Sequence, residues 1–146
     1  MNRWCGASGV CFNDRNELLM VLQGKPKEEK KWTIPSGGME GFESFEECCK
    51  REVSEETGYI VEVIEKIKVK EGTYVEAGIE YEVHYFSVRA IGGEMRIQDP
   101  DELIHEIKWV SKDELEELNL SFPEDLDFLA LLMRDRLSDS KVLQKE

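Results

Sequence analysis

The feature that most restricts this chain is a helix that carries acids on its apolar side. Ser44-Phe45-Glu46-Glu47 has capping-box spacing, with Glu47 three residues after a serine cap, and Gly58 is a natural stop. Between them, at roughly 100° per residue, Phe45, Cys49 and Val53 fall within a sector of about 80°, the stripe that faces a core. Glu52 and Glu56 lie about 20° to either side of Phe45, and Glu55 flanks the same edge. Carboxylates crowded there lose hydration and repel one another, so something cationic must offset them. Arg51, four residues after Glu47 and four before Glu55, is one candidate, but one arginine cannot neutralise the set. Oxygen-only ligands select hard divalent ions such as Mg²⁺ or Mn²⁺ over zinc. Glu46 and Glu47 read as ordinary solvated acids of a charged helix.

The loop before this helix fits the same reading. Ser36-Gly37-Gly38 can bring backbone carbonyls and amides close to a ligand, because glycine has no side chain in the way. A glycine loop that feeds a helix N-terminus also favours anions. Gly37 and Gly38 are therefore candidate substrate contacts.

Composition narrows the partners. The chain of 146 residues has a formal charge of −13, a field that repels polyphosphate backbones and argues against binding a nucleic-acid polymer. A small phosphorylated ligand stays compatible where local cations offset the repulsion, either metal ions or Lys25, Lys27, Lys30 and Lys31. Cys5, Cys11, Cys48 and Cys49 form no Cys-x-x-Cys pair, and His84 and His105 lack zinc-finger spacing. Buried, reduced thiols are expected. No signal-peptide pattern or membrane-length apolar run is visible, so the expectation is a cytoplasmic protein without a membrane partner.

Along the chain, Trp4 to Phe12 suits a buried strand, and Leu18 to Leu22 a second, the two joined like a hairpin through Asn13-Asp14-Arg15-Asn16. Gln23 to Lys31 reads as a loop, Trp32-Thr33-Ile34 as a short strand ending at Pro35, and Ser36 to Phe42 as an irregular loop. Strands follow over 60–69 and 79–91. In the second, the apolar phase moves from Tyr85 to Phe86 and Val88, which suggests a bulge. Gly92-Gly93 turns the chain. Ile104 to Val110 is another strand, Ser111 caps a helix with Glu114 three residues on, and a last helix runs from about Pro123 to Leu137. The pattern implies one domain over 1–137, a frayed polar tail at 138–146, and an α/β or α+β layered sandwich.

Residues 37–59 resemble the Nudix box: Gly, five residues, Glu, seven residues, then Arg-Glu-apolar-x-Glu-Glu-x-Gly-apolar. Gly37, Glu43, Arg51, Glu52, Glu55, Glu56 and Gly58 supply every fixed identity at the right spacing. The softer features of Trp32-x-x-Pro35 before the box and Trp109-Val110 before a capped helix are also similar to that family. Tyr59 stands where an aliphatic residue is usual, and Ser36 and Phe42 where glycine is frequent.

The resemblance implies an α/β/α sandwich with a central mixed β-sheet. It also implies a Mg²⁺-dependent hydrolase (with Mn²⁺ as a substitute) that attacks a phosphorus of an X-linked nucleoside diphosphate with metal-activated water. Glu52, Glu55 and Glu56 would match the metal ligands, with the Ser36 carbonyl assisting. Arg51 would orient a carboxylate and pair with Glu43. Glu55, Glu56 and Arg51 are thus expected catalytic groups. A further base often comes from a later loop, for which Gln98-Asp99-Pro100-Asp101-Glu102 is the acidic stretch, Glu102 the named choice and Glu106 the next.

The substrate expected is a small nucleotide, foremost a nucleoside triphosphate, including an oxidised one. A dinucleoside polyphosphate, hinted at by Tyr74, or a nucleotide sugar is the alternative. Trp4, Phe12, Tyr74, Tyr81 and Phe86 are candidate walls for a base. A monomer or homodimer is expected. Two readings of another class are a catalytically idle nucleotide-binding sensor and an acidic protein-interaction module. The first has no need of all three box glutamates, and the second leaves the inward pair unexplained.

Overall fold

The computed structural model describes residues 2–98 and 102–145, with side chains up to 136. In chain order the elements are β1 (Asn2–Cys11), β2 (Leu18–Gln23), β3 (Lys31–Thr33), β4 (Ser36–Gly38) and α1 (Phe45–Thr57), then β5 (Tyr59–Tyr74), β6 (Ile79–Gly93), β7 (Ile104–Val110), α2 (Lys112–Glu117) and α3 (Leu126–Lys145). Short 3₁₀ turns occupy Val75–Ala77 and Pro123–Asp125. A four-stranded mixed sheet runs β4-β1-β6-β5, with β1 and β6 parallel, beside a three-stranded antiparallel sheet β3-β2-β7.

Helices cover both faces, which makes this the α/β/α sandwich. On one face Cys48, Cys49 and Val53 of α1 pack with Ala7, Leu19, Phe86 and Val88. On the other, Leu115 of α2 and Leu129 and Met133 of α3 pack with Val10, Met20 and Tyr85. This two-sided burial explains why β2 reads as a continuous apolar run.

Both faces being covered also corrects the expected bulge in β6. Val83 and Tyr85 point to the α3 side while Phe86 and Val88 point to α1, so the apparent phase shift is one strand feeding two cores. Pairing of β6 with β1 is unbroken from Asn2↔Ile79 to Cys11↔Val88. The irregularities fall where β5 meets β6, including between Val63 and Glu65 and between Lys66 and Lys68.

Three further expectations change. The β1–β2 hairpin is limited to its turn, where the Asn13 amide donates to the Glu17 carbonyl at 3.1 Å and Phe12 bridges Leu18. The strands then part into separate sheets, because Ala7, Val10 and Cys11 in β1 are fully buried between β4 and β6. Ser36–Gly38 is a short strand rather than irregular loop, paired with Gly6–Ser8. Gly92 and Gly93 end β6, opposite Ile60 and Tyr59, instead of turning the chain.

Helix α1 forms as its sequence directs. Ser44 Oγ accepts from the Glu47 amide at 3.1 Å, Glu47 Oε1 accepts from the Ser44 amide at 3.0 Å, and Gly58 closes the far end at φ 85°. The four cysteines are free. Burial pushes the Cys11 thiol up to about 11 and those of Cys48 and Cys49 to about 12, which keeps them protonated and inert. No helix among the described residues is long and apolar enough to cross a membrane.

Candidate active site

Helix α1 can close on the sheet because two facing positions lack side chains. A Cβ on Gly9 would lie 2.6 Å from Val53 Cγ2, and one on Gly37 would lie 2.3 Å from Glu52 Cδ. The second contact matters more for chemistry. It presses the Glu52 carboxyl against the backbone of β4, next to the Ser36 amide, which donates to Glu56 Oε1 at 3.3 Å. Glu56 is only 6% exposed. The side chain of Glu52 is 13% exposed and that of Glu55, at the rim, 36%. Glu52 and Glu56 therefore meet at the α1–β4 junction, while Glu55 at the rim is tied to them through Arg51.

Arg51 organises their approach. Its Nε and Nη2 make a fork on Glu43, at 3.0 Å to Oε2 and 2.7 Å to Oε1, and Nη2 also reaches the Gly38 carbonyl at 2.8 Å. Nη1 meets Glu52 Oε1 at 2.7 Å and Glu55 Oε2 at 3.2 Å. One guanidinium thus ties loop, strand and helix together, and the expected Glu43–Arg51 pair is present as a bidentate bridge. The bond from Arg51 holds the Glu43 carboxyl below the usual range. Burial pushes Glu52 above it, with Arg51 working in the opposite direction and the Glu55 charge adding to the rise. A single arginine leaves Glu52 under-compensated, the deficit that the helical wheel anticipates.

Among the described residues no three Asp, Glu, His or Cys side chains form a ready-made cation cage. Here Arg51 Nη1 bonds to both Glu52 and Glu55. The donor chemistry nevertheless fits a hard divalent ion: the groups brought together are carboxylate oxygens, and the missing side chain at Gly37 is what gives the Glu52 carboxyl its place among them.

Beside this cluster opens a cleft of about 330 Å³, walled by Trp4, Tyr74, Tyr81 and Phe122, with Ser36 on its lining. Tyr74 and Tyr81 lie 4.7 Å apart between ring centroids. Ser36 is the hinge of the arrangement, bonded to Glu56 and facing the aromatic space. Two of the expected wall residues lie elsewhere. Phe86 is buried against α1, and Phe12 packs on the α3 side under the Arg136 guanidinium.

Residues 3–132 match the family model of the NUDIX domain. The chain belongs to the Nudix family. It is 34% identical over 106 residues to the "Putative 8-oxo-dGTP diphosphatase" of Bacillus subtilis, covering 73% of this chain and 65% of that protein. It is 31% identical over 87 residues to the "8-oxo-dGDP phosphatase NUDT18" of Mus musculus, covering 60% and 25%. The chain thus spans less than two thirds of either relative. A NUDIX hydrolase from Nitrosomonas europaea superposes with a TM-score of 0.75 at 22% identity, over 96% of this chain and 91% of that one, which shows the fold.

Within the Nudix box, then, Gly37, Glu43, Arg51, Glu52, Glu55 and Glu56 are drawn together, while the later acidic loop is only partly in view. Its start lies along the end of α1: the Arg96 amide donates to the Thr57 carbonyl at 2.8 Å and the Gln98 amide to the Glu55 carbonyl at 3.2 Å. Asp99, Pro100 and Asp101 lie outside the described residues. Glu102 is exposed with φ 56°, and Glu106 is exposed on β7 opposite Leu22.

The sequence reading missed Lys70, Phe122, Glu124 and Asp125, which also line the cleft. They come from β5 and the turn before α3. No local pattern distinguishes Lys70 from its neighbours Lys66 and Lys68.

Proposed function

We propose that this Nudix domain is a Mg²⁺-dependent pyrophosphohydrolase, with Mn²⁺ as a substitute, that cleaves a phosphoanhydride bond in nucleoside triphosphates, including oxidised ones. The observation that carries this reading is Ser36, shared by the carboxylate cluster and the aromatic cleft. A nucleotide spanning that residue would put its base among Trp4, Tyr74, Tyr81 and Phe122 and its phosphates beside Glu52, Glu55 and Glu56. The names of the two relatives, one for 8-oxo-dGTP and one for 8-oxo-dGDP, support an oxidised nucleotide as substrate.

Glu52, Glu55, Glu56 and the Ser36 carbonyl would hold the metal. When bound, it would lower the pKa of an attacking water, shield phosphate charge and stabilise the leaving phosphate. The chain's own groups prepare the site. Arg51 fixes the Glu52 and Glu55 carboxylates, and Glu43 fixes Arg51. Gly37 lets Glu52 approach β4, and Gly37 and Gly38 are the proposed contacts to the substrate. Glu102 is the proposed base outside the box, carried by a loop whose start is bonded to α1. The partner is a small molecule, with the protein acting as a monomer or homodimer in the cytoplasm.

The deciding experiment incubates the protein with a panel of nucleoside triphosphates, dinucleoside polyphosphates and nucleotide sugars, with Mg²⁺ or with a chelator. Metal-dependent release of nucleoside monophosphate, fastest from the triphosphates, is expected. Equal turnover in chelator, or nucleotide binding with no turnover at all, would overturn the hydrolytic reading.

A further inference from the structure

One cation in the aromatic cleft has no part in the hydrolysis. Lys70 comes from β5, its side chain is 16% exposed, and its ammonium lies 3.1 Å from Asp125 Oδ1 and 3.1 Å from Glu124 Oε2. It also sits over the rings of Tyr85 at 5.6 Å and Phe122 at 5.0 Å. Asp125 is buried, at 4% exposure, and each of its carboxylate oxygens accepts from the Tyr85 hydroxyl at 3.0 Å. Burial works against the lysine charge, but the Tyr85 oxygen and the Asp125 carboxylate raise its pKa above the ordinary value. The two acids differ in kind. Asp125 is fixed by Tyr85, whereas the side chain of Glu124 is 58% exposed and an incoming ligand can take its place.

Aromatic walls stack on any base, since every base has a π-face. Selection among bases therefore falls to the polar floor. An ammonium has three donors and no acceptor. A carbonyl oxygen facing it gains a charge-assisted hydrogen bond, whereas an exocyclic amino group sets donor against donor in a partly desolvated place.

Building on the nucleotide reading above, we propose that Lys70 is the specificity-determining residue of the cleft: it donates to a carbonyl oxygen of the base, so that keto bases are accepted over their amino counterparts. Asp125 and Tyr85 position it, and Glu124 yields to the ligand.

The test compares hypoxanthine and adenine nucleoside triphosphates, which differ only in the six-position carbonyl or amino group and the ring proton that accompanies it. The kcat/KM for each is measured with Mg²⁺, and the Kd for each by calorimetry in chelator. The wild-type protein should favour the keto nucleotide by about tenfold or more, mostly through KM and Kd. Lys70→Met should bring that ratio close to one, and Lys70→Arg should preserve most of it. Lys70→Gln, whose amide can donate or accept, should also lose discrimination and serves if Lys70→Met fails to fold. A wild-type ratio near one would overturn the proposal. So would a Lys70 variant that weakens both nucleotides equally, the sign of a phosphate contact or a mere strut. Failure of the hydrolytic reading looks different, with no turnover of either nucleotide while calorimetry retains the keto preference.

Discussion

Helices α1 and α2 begin alike and end up with opposite uses for their acids. Each opens with a serine cap and a glutamate three residues on, with the Glu47 amide 3.1 Å from Ser44 Oγ and the Glu114 amide 3.2 Å from Ser111 Oγ. Each is rich in glutamate beyond the cap. In α2, Glu116 and Glu117 are exposed, and Glu116 makes an i, i+4 pair with Lys112 at 3.2 Å, a contact worth about 0.3–0.5 kcal/mol at best. In α1, Glu52 and Glu56 turn onto the sheet, where Gly37 leaves space for one and the Ser36 amide meets the other. Glutamate content alone is therefore uninformative. What separates the two helices is which face the acids occupy and whether the opposing element has left room for them.

Substitution of the acids should widen this contrast most. Glu55→Gln and Glu56→Gln should each lower kcat by about two or more orders of magnitude, the usual scale for a group that acts on the reacting centre, with the melting curve retained. Glu116→Gln, with the same change of shape and charge, should leave turnover intact. Near-normal steady-state rates for both α1 variants would erase the difference between the helices.

The caps supply a sharper, smaller comparison. Ser44→Ala and Ser111→Ala should each cost about 1 kcal/mol in denaturant unfolding. Only Ser44→Ala should also reduce kcat/KM, because Ser44 adjoins Glu43, the anchor of Arg51. An equal loss of activity from Ser111→Ala would mean that general stability, not the positioning of α1, sets the rate.

The smallest effect concerns the charge on Glu52. Burial holds its pKa above the ordinary glutamate value of 4.5, so its ionisation in the folded state opposes folding once pH rises above that value and has no cost below it. In metal-free protein Glu52→Gln should therefore melt slightly higher than wild type near neutral pH, with the gap closing as pH falls through about 4.5. A gap that widens toward acid would show that the bond to Arg51 outweighs desolvation.

Much of this molecule was legible before any fold was known. The pairing of Glu43 with Arg51 is implied by the resemblance to the Nudix box, whereas the limits and facing of α1, both capping boxes and the limits of β7 follow from residues within a few turns of one another. Their hydrogen bonds and helical phase are local, and local order does not wait for the rest of the chain. Strand partners were not legible in this way. β1 is followed by β2 yet pairs with β6, because a strand is chosen by complementary burial across the sheet and the turn at Asn13–Glu17 allows either outcome. The cleft is further still from sequence. It exists only where Trp4 of β1, Lys70 of β5 and Phe122 and Asp125 before α3 converge, residues whose separation along the chain leaves no periodic trace. Local chemistry decided that inward acids need a cation, and the tertiary packing decided what kind of space lies beside them.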